Sequence, residues 1–293
     1  MKFNLSIRTA VAVSLLGAGS ALGTAQASIF SYLGGIGVSV PDASSAANSG
    51  SAAWAPSNSS VAFSAQDSVG SNGYVGPGYG GQLYDLEALY VHNNGTQLII
   101  TGISGANLAA MPFGASGTCG GADACHTFPI GDFILGNGTV NNFNPLVGIE
   151  VTGQHYTMSS QGYTDGWNSP LAAGSVVDLA PNAGYEQGLS NWNYVGSPSQ
   201  LAMSGWTGFD PARRGNVTWE TINGHAAFQA TVDLSMLGSV INQDYIVHWG
   251  EICGNDFLRV PTSVPEPATL ALFAIGIAGL GLSRRRTSRS TSI

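Results

Sequence analysis

The sequence predicts an all-β fold, an antiparallel β-sandwich of the jelly-roll kind, flanked by an N-terminal signal helix and a short hydrophobic C-terminal helix. Three observations support this prediction. Short runs rich in β-branched and aromatic residues are separated by Gly and Asn turns. No long segment repeats its apolar residues with the 3.6-residue period of a helix. Hydrophobic residues make up 44% of the chain and charged residues only 9%, a composition that can bury a core.

The chain begins with an apolar leader. Lys2 and Arg8 precede an uncharged stretch, residues 10–22, and Ala25-Gln26-Ala27 has the small-x-small pattern of a signal peptidase site. The stretch is shorter than the roughly 20 apolar residues that a membrane-spanning helix needs. We therefore expect residues 1–27 to be a cleaved signal peptide and residues 28–263 to form a single β-sandwich domain.

Alternating runs place the strands within that domain. Residues 83–104 form the clearest hairpin, in which Asn94-Gly95 favours a type I′ turn because both residue types tolerate positive φ. A second strand pair is predicted in residues 128–153, with Asn137-Gly138 near its centre. The remaining predictions are strands at 61–68, 175–179, 225–234 and 245–249, a helical turn at 234–237 and a mobile loop at 41–60.

The charge of the predicted domain excludes one class of partner. Between Ser28 and Ser263 there are three basic residues, Arg213, Arg214 and Arg259, against sixteen acidic ones, which is a formal net charge of −13. A nucleic-acid-binding surface needs positive charge to neutralise phosphates. Nucleic acid is therefore excluded as a partner.

The C-terminal segment combines three features in a fixed order. Val264-Pro265-Glu266-Pro267 precedes an uncharged apolar run, residues 268–282, and then the cluster Arg284, Arg285 and Arg286. At about 1.5 Å per residue the run is roughly 22 Å long as a helix, less than the ~30 Å hydrocarbon core of a bilayer. The arginines favour retention of the end of the chain on the cytoplasmic side.

Residues 264–286 resemble the PEP-CTERM sorting signal of Gram-negative bacteria and are followed by a polar tail, residues 287–293. The resemblance implies transient membrane insertion of the tail and processing near the Pro-Glu-Pro by an exosortase-type membrane protease. It also implies delivery to the cell surface or to an extracellular polysaccharide matrix. An ordinary single-pass anchor is the alternative, and the sequence leaves open whether the tail is cleaved.

The order of segments between residues 80 and 260 is similar to the β-sandwich of many PEP-CTERM proteins and, more distantly, to family 9 carbohydrate-binding modules and DOMON-type domains. His248-Trp249 followed by Cys253-Gly254-Asn255-Asp256 is the most specific part. The resemblance implies a ligand-binding or structural module, in some members with bound calcium or sugar, and no catalyst. Residues 105–127 and 153–219 depart from the pattern.

Acidic residues in the predicted strands provide candidate metal ligands. Asp85 and Glu87 are two positions apart and so face the same side of a strand. Carboxylate oxygens suit calcium, with Asp132, Glu150 or Asp256 as further ligands from neighbouring strands. The candidate structural calcium site is Asp85, Glu87 and Asp132; the alternative is a solvated acidic face or acids hydrogen-bonded within loops. We predict no other cofactor.

The cysteines allow more than one arrangement. Cys119 and Cys125 flank five residues, and an oxidising extracellular compartment favours a disulfide between them. Cys253 is then a buried thiol or the partner of one of the others. A metal site using Cys119, Cys125 and His126, with Cys253 or His248, is an alternative whose spacing is unusual for zinc.

Four tryptophans in the long irregular region are candidates for stacking on sugar rings: Trp167, Trp192, Trp206 and Trp219. The alternative is that they fill a second core layer under long loops. No nucleophile elbow, zinc-protease motif or phosphate loop occurs, so no catalytic residue is predicted.

We therefore expect a non-catalytic exported surface or extracellular-matrix protein, associated with exopolysaccharide or biofilm. The alternatives are a carbohydrate-binding module that uses aromatic residues of the 163–219 region and, less favoured, a polysaccharide hydrolase, which needs two opposed carboxylates.

Overall fold

The structure is a computed structural model that describes residues 27–42, 51–65, 85–105, 131–140, 142–151, 154–159, 162–168, 171–179, 206–208, 210–250 and 257–263. It contains one α-helix, α1 (Ile29–Gly35), and two 3₁₀ segments, Ser51–Trp54 and Leu234–Asn242. The strands are β1 (Val61–Ala65), β2 (Leu86–Asn93), β3 (Gln97–Ser104), β4 (Phe133–Thr139), β5 (Asn142–Ile149), β6 (Gln154–Ser159), β7 (Gly162–Asn168), β8 (Val176–Leu179), β9 (Trp206–Gly208), β10 (Asn216–Ile222), β11 (His225–Asp233), β12 (Tyr245–Gly250) and β13 (Phe257–Thr262).

Two antiparallel sheets form the body of the protein. The first has five strands in the order β1-β2-β3-β11-β10, and the second has six in the order β13-β12-β4-β5-β8-β9. A separate pair, β6-β7, forms a two-stranded sheet. The predicted all-β, antiparallel architecture is confirmed.

The main core lies between the two large sheets. Alternate residues of β2, β3 and β11 face alternate residues of β4, β5 and β12, because side chains repeat every two positions along a strand. Trp249 is at the centre, with its ring 5.7 Å from Phe133 and 6.1 Å from Phe228, and its indole N–H donates to the Gly131 carbonyl at 3.1 Å. Gly102 makes room for this ring, since a Cβ there would lie 2.5 Å from it.

A third layer covers part of the outer face of the five-stranded sheet. We call it the cover segment, residues 28–42 and 51–54. Ser28 accepts a hydrogen bond from the Ser31 N–H and starts α1, which buries Ile29 and Leu33 one turn apart. These side chains pack with residues of β2, β3, β10 and β11 in a second core: Ile29, Leu33, Ile36, Val38, Val40, Trp54, Val61, Ala88, Tyr90, Ile103, Ile222 and Ala227.

Trp54 contradicts the prediction of a mobile loop at residues 41–60. Its side chain is fully buried, and its carbonyl accepts a hydrogen bond from the Tyr90 hydroxyl at 2.8 Å. Small and polar neighbours led to the wrong expectation, because one large aromatic side chain is enough to anchor the short 3₁₀ helix that carries it. Residues 43–50 of the predicted loop lie outside the described residues.

The predicted type I′ turn is also wrong. Gly95 has a positive φ of 92°, but Asn94 does not, and three residues connect β2 to β3. The Asn94 carboxamide oxygen accepts hydrogen bonds from the N–H groups of Thr96 and Gln97, which holds the loop in another conformation. The two-residue turn with both φ values positive is Asn223-Gly224, between β10 and β11.

The second predicted strand pair is present as β4 and β5. Pairing continues to Thr139↔Asn142, so Asn137-Gly138 lies within β4 and not in the turn. The predicted helical turn at residues 234–237 is extended in the structure to a 3₁₀ segment that is interrupted at Gly238.

One ion pair joins the two sheets at the side where the chain passes from β8 to β10. The Arg213 guanidinium makes two hydrogen bonds to the Asp178 carboxylate, at 2.7 and 2.9 Å, and also donates to the Met236 carbonyl. These hydrogen bonds are the main cause of the lowered pKa of Asp178. The pair fixes the 3₁₀ segment Leu234–Asn242 beside the edge of the sandwich.

Candidate binding groove

Among the described residues, the outer face of the five-stranded sheet is covered at one end and open at the other. At the open end the neighbouring pairs across β3 and β11 are Thr101↔Gln229, Ile99↔Thr231 and Gln97↔Asp233. On the other side of β11, Asn216 of β10 is the partner of Thr231. Because directly paired residues of antiparallel strands share a face, these side chains form one continuous polar strip.

This strip is the floor of a groove with a volume of about 640 Å³. The segment before β10, the 3₁₀ segment Leu234–Asn242 and α1 contribute further residues to its lining. The groove is lined by Ala27, Tyr32, Gln97, Ile99, Arg214, Gly215, Asn216, Gln229, Thr231, Asp233 and Met236. The volume falls within the roughly 300–1,000 Å³ typical of small-ligand sites.

Hydrogen bonds between side chains hold the amides of the groove in place. Gln229 donates to the Thr101 hydroxyl at 2.9 Å, in a buried position. Gln97 donates to the Asp233 carboxylate at 3.0 Å. Because the amides of Gln229 and Gln97 already have partners, they are positioned before any ligand binds. This lowers the entropic cost of ordering these side chains on binding.

Tyr32 brings an aromatic ring and a hydroxyl to the wall. Its ring lies 6.5 Å from that of His92, and burial raises its pKa well above the ordinary value, so the hydroxyl keeps its proton. Within the described part of the chain, the buried Tyr32 hydroxyl has no hydrogen-bond partner. An unsatisfied buried hydroxyl costs about 1–3 kcal/mol, a cost that a ligand hydroxyl would relieve.

The groove is nearly neutral. Arg214 is exposed on one wall and donates through Nε to the Ala173 carbonyl at 3.1 Å, while Asp233 is exposed at the end of the floor. One cation and one anion offer no excess charge to a ligand. The rest of the lining is amide, hydroxyl or apolar.

The acids chosen from the sequence lie elsewhere, and they are buried. Asp85, Glu87, Asp132 and Glu150 are at most 6% exposed, so a solvated acidic face is wrong, whereas the other alternative, hydrogen-bonded acids, agrees with Asp132. A β-bulge at Glu87 interrupts the strand alternation, and the Glu87 carboxylate lies 3.6 Å from Nδ1 of the buried His225, under the cover segment. Asp132 accepts a hydrogen bond from the Val151 N–H at 3.0 Å.

Among the residues that the structure describes, no group of three or more His, Cys, Asp or Glu side chains is placed to hold a metal ion. Asp85, Glu87 and Asp132 are all among them, so these three do not form the predicted calcium site by themselves. Calcium binding stays a prediction that needs other ligands.

The four tryptophans do not form a group that the structure can describe. Trp167 lies in β7 and Trp206 in the edge strand β9, both given by their backbone alone, and Trp192 lies outside the described residues. Trp219 is on β10, the edge strand of the five-stranded sheet, and is 43% exposed. Its exposure leaves it accessible to a ligand.

Arg259 forms a cluster on the six-stranded sheet that sequence reasoning missed. The buried guanidinium lies over Phe143 and Phe257, 5.0 Å from each ring, and Nε donates to Nδ1 of His248 at 3.2 Å. Accepting at Nδ1 requires the neutral His248 tautomer with its proton on Nε2. The register His248↔Arg259 brings these residues together, so the cluster serves packing.

The cysteines Cys119, Cys125 and Cys253 lie outside the described residues, as do residues 1–26 and the predicted sorting residues from Val264 onward. In the ranges described above, no helix is both long enough and apolar enough to cross a membrane.

Comparison with protein families decides the nature of the tail. A family model of the PEP-CTERM protein-sorting motif matches residues 263–286. The tail carries a sorting motif. The chain is therefore exported and sorted to the bacterial cell surface by an exosortase system. No curated protein and no solved structure gave a match.

Proposed function

We propose that the mature chain is a non-catalytic component of the surface or extracellular matrix of a Gram-negative bacterium, where it associates with extracellular polysaccharide. The observation that carries the proposal is the sorting motif at residues 263–286, directly after a single β-sandwich. The cover segment adds a third layer to the sandwich, on the five-stranded sheet. A layered sandwich followed by a sorting tail is suited to display outside the cell.

The positions of the strand acids support a role without catalysis. A glycoside hydrolase needs two carboxylates that reach the bond between two sugars. Asp85, Glu87, Asp132 and Glu150 are buried, and a polysaccharide cannot contact them. Asp178 is exposed but is engaged by Arg213.

Fractionation of the producing bacterium tests the proposal. Replacing Pro265, Glu266 and Pro267 together by Ala should move the protein from the surface and matrix fractions to the membrane fraction, because the processing site is lost. Ser290→Ala, in the polar tail, is the matched control and should leave the distribution unchanged. Equal surface display of both variants, or release of reducing sugar ends from matrix polysaccharide by the purified protein, would overturn the proposal.

Carbohydrate binding by the aromatic 163–219 region is the second candidate, and the exposure of Trp219 favours it. Aromatic faces stack on the apolar side of sugar rings. Trp219→Ala should then weaken binding to a glycan, whereas the same substitution should leave binding unchanged if the glycan is held elsewhere.

A further inference from the structure

We propose that the groove on the outer face of the five-stranded sheet binds a neutral saccharide, a segment of extracellular polysaccharide. The inference rests on the proposed function and assigns to it a binding site away from the 163–219 region. It uses the chemistry of the groove lining, the orphaned Tyr32 hydroxyl and the charge of the domain.

The polar floor matches a ligand with many hydroxyl groups. Gln97, Gln229 and Asn216 each combine a donor and an acceptor in one amide, and Thr231 adds a hydroxyl between them. Vicinal sugar hydroxyls also donate and accept, so an amide can bind two neighbouring hydroxyls. A strip of such groups along paired strands suits an extended chain of sugar units.

Apolar side chains in the same groove match the C–H face of a sugar ring. Tyr32 of α1 and Met236 of the 3₁₀ segment both line the groove, and Ile99 lies on the floor between polar residues. The C–H face of a sugar packs against such surfaces. The Tyr32 hydroxyl is buried and unpartnered among the described residues, so it becomes a further donor for a ligand only when the ring turns toward the groove.

Charge selects a neutral ligand. Arg214 is the one cation among the lining side chains and is balanced by Asp233, the predicted cleavage adds the amino group of Ser28 at the rim, and the domain as a whole has a formal net charge of −13. An acidic polysaccharide or a phosphate would be repelled by this field. A cationic peptide would find one carboxylate, Asp233, which already accepts a hydrogen bond from Gln97.

Maturation changes the rim of the groove. Ala27, the last residue of the predicted signal peptide, contributes to the lining, and Ser28 starts α1 beside Tyr32. The predicted cleavage between Ala27 and Ser28 removes Ala27 from this lining, so the remaining lining residues form the groove of the exported protein.

The test uses the exported, processed protein purified from the producing bacterium. An array of neutral and acidic glycans is screened first, and the dissociation constant for the best neutral glycan is then measured by calorimetry. The variant Gln97→Ala/Asn216→Ala should weaken that binding by roughly tenfold or more, since two hydrogen-bonding amides are lost. Asn242→Ala, an exposed amide outside the groove, should change it by less than about twofold.

A second variant separates a loss of binding from a loss of folding. If thermal unfolding shows that the double variant is damaged, Asn216→Ala alone, at an exposed position of the edge strand β10, should still weaken binding by roughly threefold or more. Binding that survives this variant and is lost in Trp219→Ala would overturn the inference in favour of the aromatic region. Preference for acidic glycans, or no neutral glycan bound by the wild type, would also overturn it. The fractionation experiment tests the surface role independently of the groove. A negative glycan result therefore leaves the surface role standing, and a negative fractionation result leaves saccharide binding standing.

Discussion

The two ends of the outer face of the five-stranded sheet are built from the same strands, but one end is apolar and covered and the other is polar and open. At the covered end, Ile103 and Ala227 are paired across β3 and β11 and lie beneath the cover segment. Six positions away, Gln97 and Asp233 are paired across the same two strands and line the open groove. At about 3.3 Å per residue the two pairs are roughly 20 Å apart.

The difference teaches that burial is decided locally along a strand. An apolar pair is stabilised by a third layer, whereas a polar side chain is covered only where it meets a polar partner, as Glu87 meets His225. We expect substitutions at the covered end to change stability and substitutions at the open end to change binding.

The largest effect is expected for Trp54→Ala. Trp54 is fully buried, and its ring contacts His225 edge-on at 5.4 Å, so its removal leaves a large cavity under the cover segment. The free energy of unfolding should fall by about 3–5 kcal/mol, measured by urea denaturation. Trp219→Ala, at an exposed site, should cost less than about 1 kcal/mol. Similar costs for the two tryptophans would remove the distinction between covered and open surface.

Next in size is Leu33→Ala, within α1. Leu33 is fully buried against the sheet, whereas Phe30 on the same helix is 56% exposed. The leucine variant should lose about 2–4 kcal/mol by the same measurement, and Phe30→Ala less than about 0.5 kcal/mol. If both substitutions were harmless, the helix would not be docked in solution.

A matched pair of tyrosines gives a smaller contrast. Tyr90 donates to the Trp54 carbonyl under the cover segment, so Tyr90→Phe should cost about 0.5–1.5 kcal/mol. The hydroxyl of Tyr32, at the groove, has no such partner among the described residues, and Tyr32→Phe should leave stability unchanged or slightly raised. Denaturation curves of both variants side by side check this; a costly Tyr32→Phe would reveal a structural role for the groove hydroxyl.

The smallest effect is expected for Asp178→Asn beside the groove wall. Hydrogen bonds from Arg213 lower the pKa of Asp178, so the ionised carboxylate is favoured in the folded state. The resulting stability is present above the ordinary pKa of about 3.9 and is lost as the pH falls through the lowered folded-state value. Because the carboxylate is 55% exposed, the loss at pH 7 should stay below about 1 kcal/mol.

Denaturation at several pH values checks the sign. The wild type and Asp178→Asn should differ at pH 7 and converge near pH 2. A difference that grows on acidification would show that Asp178 does not contribute through its ionised form.

Most of the predicted strands are present because their pattern is local. Residues 225–233 and 245–250 carry apolar side chains at alternate positions over a full strand, which no other structure explains as well. β10 and β13 escaped prediction, since edge strands of mixed polarity lack that pattern. β6, β7 and β9 were also missed, because the expectation of an irregular region at residues 153–219 was wrong for these strands. α1 escaped because seven residues are too short to show a helical period, although Ser28 is a capping residue before Ile29 and Leu33.

The groove could not be predicted because its floor depends on register. Gln97 and Asp233 are 136 residues apart in the chain and meet only through the pairing of β3 with β11. A signal was present in the alternation of polar side chains at residues 97 and 101 and again at 229, 231 and 233. Asp85 and Glu87 were predicted as ligands because the sequence shows their charge. It does not show that both side chains are buried.

The placement of the basic residues has a consequence for survival outside the cell. The segment from Ser28 to Ser263 contains no lysine and three arginines. Arg259 is buried between two rings, and Arg213 is held by Asp178 and Met236. Extracellular proteases that cut after basic residues therefore meet one exposed basic side chain, Arg214, and the N–H at that cleavage position, on Gly215, donates to the Gly174 carbonyl at 2.8 Å. Limited trypsin digestion should therefore leave the folded domain largely uncut.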